Sequence, residues 1–72
     1  MDSTVVSTQT AFEVFYRREY PSLAVVAGTV AADRSAGEDI AQEALAKASG
    51  QWAKVSVMDK PGAWVRRVAI NL

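Results

Sequence analysis

The chain has no cysteine, so disulfides, thiolate nucleophiles and cysteine-based metal sites are excluded, and the composition suits a reducing compartment such as the cytoplasm. Histidine is also missing, which removes the commonest metal ligand and the commonest general base from anything the chain could do alone. Proline occurs only twice, and half of the residues are apolar, so this is a folding sequence rather than a disordered one. At 72 residues there is room for one domain and one small core, which buries only about 60% of the surface the unfolded chain exposes. Long apolar runs are absent as well. The longest, Leu23 to Ala32, is interrupted by Gly28 and Thr29 and falls well short of the roughly 20 residues that span a bilayer. Residues 1–9 are polar without a basic start, which does not fit an export signal and leaves them as a flexible lead-in.

Charge is balanced in sum but not in distribution. Residues 1–43 carry seven acidic and three basic side chains, a net −4, whereas residues 44–72 carry Lys47, Lys54, Lys60, Arg66 and Arg67 against Asp59 alone, a net +4. A polyanion is therefore drawn to the C-terminal part and repelled by the N-terminal part.

Helical periodicity dominates the pattern. Thr10 and Glu13 stand at capping-box spacing, which predicts a helix start. Phe12, Phe15, Tyr16, Leu23, Val26, Ala27 and Val30 then recur at intervals of three and four and mark one buried face. Pro21 interrupts that run and predicts a kink or a break near Tyr20. Ser35 and Glu38 repeat the capping spacing and Gly50 offers a stop, giving a second helix over 36–49. Its Ile40, Ala41, Ala44, Leu45 and Ala48 share one face, and Asp39, Gln42, Glu43, Ala46 and Lys47 share the other. Residues 50–59 show no helical period and read as a loop, the Val55-Ser56-Val57 alternation being too short and partnerless for a strand. Pro61 opens a last helix, with Asp59 or Lys60 as cap. There Trp64, Val65, Val68, Ala69 and Leu72 form the apolar face, opposite Arg66, Arg67, Ile70 and Asn71, and the period runs on as though the helix continued past Leu72. The fold expected is all-α, a compact bundle of three to four helices.

Two residue groups carry a resemblance: Asp39-Ile40-Ala41-Gln42-Glu43-Ala44 on the second helix, and Trp64-Val65-Arg66-Arg67-Val68-Ala69-Ile70-Asn71 on the last. In their order, spacing and helical setting they resemble region two of bacterial sigma factors, of the extracytoplasmic-function group. The likeness covers about residues 12–72, including the Phe12-x-x-Phe15-Tyr16 pattern, the Tyr20-Pro21 pair and the Asp33-Arg34 turn. It implies a sigma region-two domain over 10–72, without the further domain that in the family reads the minus-thirty-five element.

The resemblance implies that Asp39, Gln42 and Glu43 bind core RNA polymerase at the clamp helices of its beta-prime subunit. An acidic-amide patch suits basic side chains better than DNA, which agrees. It further implies that the last helix and the preceding loop engage the single-stranded non-template strand of the promoter minus-ten element. Asn71 matches a position that contributes to a pocket for a flipped base, and an amide both donates to and accepts from a base edge. Arg66 and Arg67 are candidate phosphate contacts, with Lys54 and Lys60 as weaker ones. Trp64 is expected in the core, and Trp52 either covers the core, the favoured reading, or stacks near the loop.

The sequence departs from the family at three places: Ser22 to Ala32 lacks the arginines of relatives, Ala63 replaces one of the paired aromatics with which primary sigma factors wedge open a duplex, and the Ala53–Lys60 loop has no aromatic. Weak melting and stringent promoter choice follow from that pattern. An anti-sigma factor is a further partner the family implies. No cofactor or metal is called for, no membrane is involved, and no enzymatic activity is expected. Asp39 and Glu43 lie on an open face, where solvated carboxylates are poorly suited to acid-base work. The alternative reading is a helical protein-interaction module that keeps the fold and the acidic patch without reading DNA.

Overall fold

The computed structural model describes residues 3–72, with side chains described from Thr10 onward. Among these residues it is all-α: α1 spans Ser3–Ala31, α2 Arg34–Gly50, α3 Trp52–Val55 and α4 Pro61–Ile70, with no strand. At about 1.5 Å per residue, α1 alone is about 43 Å long, which accounts for the 46 Å long axis of a molecule only 20 by 16 Å across.

The helix starts earlier than Thr10. Nothing between Ser3 and Gln9 breaks a helix, so the preceding turns are helical and Thr10 and Glu13 lie inside α1 rather than capping it. Glu13 instead meets Arg17 one turn on, at 3.9 Å. Most of the anticipated lead-in is thus helical, and Met1 and Asp2 lie outside the described residues. Nor is α1 broken at Pro21. Pro21 and Arg17 are both exposed, so the carbonyl that proline cannot serve lies on the side open to water. Packing holds the segment together on the inner side, where Leu23 is only 1% exposed and the rings of Tyr16 and Tyr20 stack at 5.7 Å.

The α1–α2 turn closes tightly. Asp33 donates its N–H to Gly28 O (3.1 Å) and Ala32 donates to Thr29 O (3.3 Å), the paired bonds of a Schellman ending. Ala32 therefore takes φ 56°, a left-handed conformation in which its Cβ crowds the backbone. The α2 cap is Asp33, not Ser35: its Oδ1 accepts from the N–H of Ser35 (3.0 Å) and of Ala36 (3.5 Å). Freed from capping, Glu38 pairs with Arg34 at 3.8 Å. At the far end Gly50 is still helical, and Gln51 terminates α2 by donating its N–H to Ala48 O and Ser49 O.

The core is built from Phe15, Leu23 and Ala27 of α1, Ala41, Ala44, Leu45 and Ala48 of α2, Val55 of α3, and Val65 and Ala69 of α4. Alanines dominate the α2 contribution, so the helices lie close together. The approach is closest at Gly28 and Gly37, where a Cβ on Gly37 would fall 2.4 Å from Gly28 Cα and N and 2.7 Å from Ala24 O. Three residues assigned to apolar faces are not in the core: Val26 is only half-buried and lies outside the core cluster, Val30, near the end of α1, is 67% exposed, and Leu72, beyond α4, is 46% exposed. Part of the expected loop is helical too, since α3 folds one turn that brings Val55 inside. Trp52 docks there, with its ring centroid 5.2 Å from those of both Phe12 and Phe15, and so belongs to the core margin.

α4 begins at Pro61 as its chemistry requires, but neither Asp59 nor Lys60 caps it through a side chain. It ends at Ile70, with Asn71 as the C-cap rather than a helical residue.

Candidate functional site

The two faces of α2 separate cleanly. Ala41, Ala44, Leu45 and Ala48 have no exposed surface, while Asp39, Gln42, Glu43, Ala46 and Lys47 are all exposed. Because α2 is packed along its small-residue side, the amide and the two carboxylates project together into solvent. No ion pair among the described residues engages Asp39 or Glu43, which leaves both charges available to a basic partner.

The cationic candidates are less unified. Arg66 and Arg67 are exposed on α4, and Lys54, Lys60 and Asn71 are exposed as well. A groove of about 370 Å³ opens between the turn before α4 and its first turns, lined by Met58, Asp59, Lys60, Ala63, Trp64 and Arg67. This brings Lys60 and Arg67 to one concavity beside an indole. Arg66, Lys54 and Asn71 do not line it. Trp64 combines two roles, since its half-buried ring packs against the core and also forms a wall of the groove. Asp59 lines the same groove, and its negative charge opposes an anion there unless Lys60 or Arg67 offsets it.

Asn71 is held by its backbone, whose N–H donates to Arg67 O at 3.1 Å, so its position follows the end of α4 closely. Among the described residues no polar or charged side chain is buried. The chemistry offered is therefore that of surfaces: an acidic-amide stripe on α2 and a cationic groove with an aromatic wall at α4.

Sequence reasoning missed a second, larger cavity of about 590 Å³, bounded by Tyr20, Pro21, Ala24 and Gly28 of α1 and by Arg34 and Glu38 of α2. It lies beside the point where α1 and α2 nearly touch at Gly28 and Gly37. The only sequence signal was Gly28 in α1 and Gly37 in α2. The α2 cap at Asp33 and the contribution of Met58 to the groove were likewise not anticipated.

No protein-family model matches the chain, and neither a curated protein nor a solved structure is significantly similar to it.

Proposed function

We propose that this chain is region two of a bacterial sigma factor of the extracytoplasmic-function group, acting in the cytoplasm to dock on core RNA polymerase and to recognise the single-stranded minus-ten element. The observation that carries the reading is the division of the Asp39–Ala44 motif. Of its apolar members Ala41 and Ala44 are fully buried and Ile40 is half-buried, while Asp39, Gln42 and Glu43 are all exposed and outside the ion pairs seen among the described residues. A helix that merely needed a solvated face could place any polar residues there. This one presents the three that the resemblance assigns to the beta-prime clamp helices. The groove beside α4 supports the second half of the reading, because single-stranded nucleic acid is held by cations along its backbone and by aromatic surface against its bases.

In this role the chain performs no bond chemistry and requires no cofactor. Its acidic face attracts the basic clamp helices, and its basic end meets the displaced strand. Binding to a beta-prime clamp-helix fragment, followed by calorimetry, tests the reading. Glu43→Arg should abolish measurable binding, since it replaces an attraction with a like-charge contact that costs several kcal/mol. Helicity should persist, because changes on an exposed face usually shift stability by less than about 0.5 kcal/mol. Equal affinity of parent and variant would refute the docking surface.

The alternative, a protein-interaction module that does not read DNA, is favoured by one observation, the Asp59 carboxylate in the groove wall. A single-stranded promoter fragment titrated at two salt concentrations separates the readings. Phosphate contacts make affinity fall with salt, whereas the module should bind no strand at either concentration.

A further inference from the structure

Beyond the proline that opens it, α4 begins without a capping side chain of its own. Pro61 has no N–H, Lys60 provides no side-chain cap, and the first turn contains no acidic residue, so no side chain within α4 answers the positive end of the helix and the local acidic residue is Asp59, just before the cap. A carboxylate from α1 lies beside that end. The Glu19 side chain is only 12% exposed, is reached by Arg18 Nε at 3.2 Å, and lies against Gly62, the second residue of α4. A Cβ built on Gly62 would stand 3.0 Å from each of the two carboxylate oxygens. A side chain at position 62 would require the carboxylate to draw back from the first turn by a few tenths of an ångström.

We propose that Glu19 is a positioning residue for the groove at α4: its carboxylate, lying against Gly62, anchors the N-terminal end of α4 and so holds the turn that carries Lys60 against the α4 face that carries Trp64 and Arg67. The proposal rests on the nucleic-acid reading of that groove. It assigns a favourable role in polyanion binding to a negative charge, and this separates it from plain electrostatics. Removing Glu19 also releases Arg18 from its ion pair, so charge alone makes any neutral variant at this position a tighter binder of nucleic acid.

Two measurements on the full chain test it. The first is a double-mutant cycle followed by thermal melting. Gly62→Ala should lower the melting temperature of the parent, because the new methyl group displaces the carboxylate. In a Glu19→Ala background it should raise the melting temperature, because only the helix-propensity gain of alanine remains. An equal shift in both backgrounds would overturn the anchor. The second is titration with a short single-stranded DNA oligonucleotide at a temperature where all variants are folded. Glu19→Gln should weaken binding by about two- to fivefold, the factor equivalent to one charge at a helix end. Tighter binding by Glu19→Gln would overturn the positioning role and leave Glu19 as a simple repulsive charge. If the parent binds no oligonucleotide, the nucleic-acid reading fails and the positioning role falls with it, while the melting cycle still decides the anchor.

Discussion

Gly37→Ala adds one methyl group where two helices meet, and the structure indicates how poorly it fits. The new Cβ would lie 2.4 Å from Gly28 Cα, 2.4 Å from Gly28 N and 2.7 Å from Ala24 O. All three are backbone atoms, so no side chain can rotate away. Carbon atoms rest at about 3.5–4.0 Å, so α1 and α2 must separate locally by about 1 Å. That separation loosens the alanine-lined seam along Ala41, Ala44 and Ala48, each fully buried. Overpacking of this kind costs about 1–3 kcal/mol or more, against a gain of about 1 kcal/mol from replacing glycine with alanine in a helix. With the relief available only by moving a whole helix, the net expectation is a loss of about 2 kcal/mol. For a chain of this size that lowers the melting temperature by roughly 8–16 °C.

Gly28→Ala is the internal control. Its Cβ would meet its nearest neighbours at 3.6–3.9 Å, ordinary contact, and Gly50→Ala would meet nothing within 4 Å. Both should be neutral or stabilise by up to about 1 kcal/mol. Far-UV circular dichroism melts and urea titrations of the three variants check this directly. A Gly37→Ala protein that melts at or above the parent would refute the close crossing and with it the placement of α2 on α1.

Three further outcomes are expected. Asp33→Ala should cost about 1 kcal/mol in urea titrations because two α2 amides lose their acceptor, whereas Ser35→Ala, at the position the spacing suggested, should change little. Trp52→Ala should destabilise by about 3 kcal/mol through loss of its ring contacts with Phe12 and Phe15, and unchanged melting would place the indole outside the core. Under the nucleic-acid reading, Arg67→Ala should weaken binding to every single strand and shallow the salt slope by about 0.7. Asn71→Ala should instead leave that slope intact while reducing discrimination between a minus-ten strand and a scrambled one by about 1–3 kcal/mol. Equal losses on both strands for Asn71→Ala would remove it from base recognition.

What the sequence determined by itself was whatever follows from spacing along one helix. The buried and exposed faces of α2 are set by which residues recur every three or four positions, so Ala41, Ala44, Leu45 and Ala48 were legible as core and Asp39, Gln42 and Glu43 as surface. Pro61 as the opening of α4 was equally legible, because its missing N–H and fixed φ are properties of the residue alone. The tertiary structure decided matters in which competing local signals, or distant residues, had to be weighed. Thr10 and Asp33 both have side chains able to cap, but a cap forms only where the chain leaves the helix. Upstream turns removed the need at Thr10, while the tight ending at Ala32 created it at Asp33. Pro21 weakens a helix locally, yet burial of Leu23 and the stacking of Tyr16 on Tyr20 keep α1 continuous around it. Val30 has the right phase for the core but lies at the end of α1, where little remains to cover it, and Val55 lacks any periodic signal but is carried inside by a single turn. The Glu19 carboxylate at the start of α4 depends on how α1 and α4 lie together, and no spacing within either helix encodes that distance.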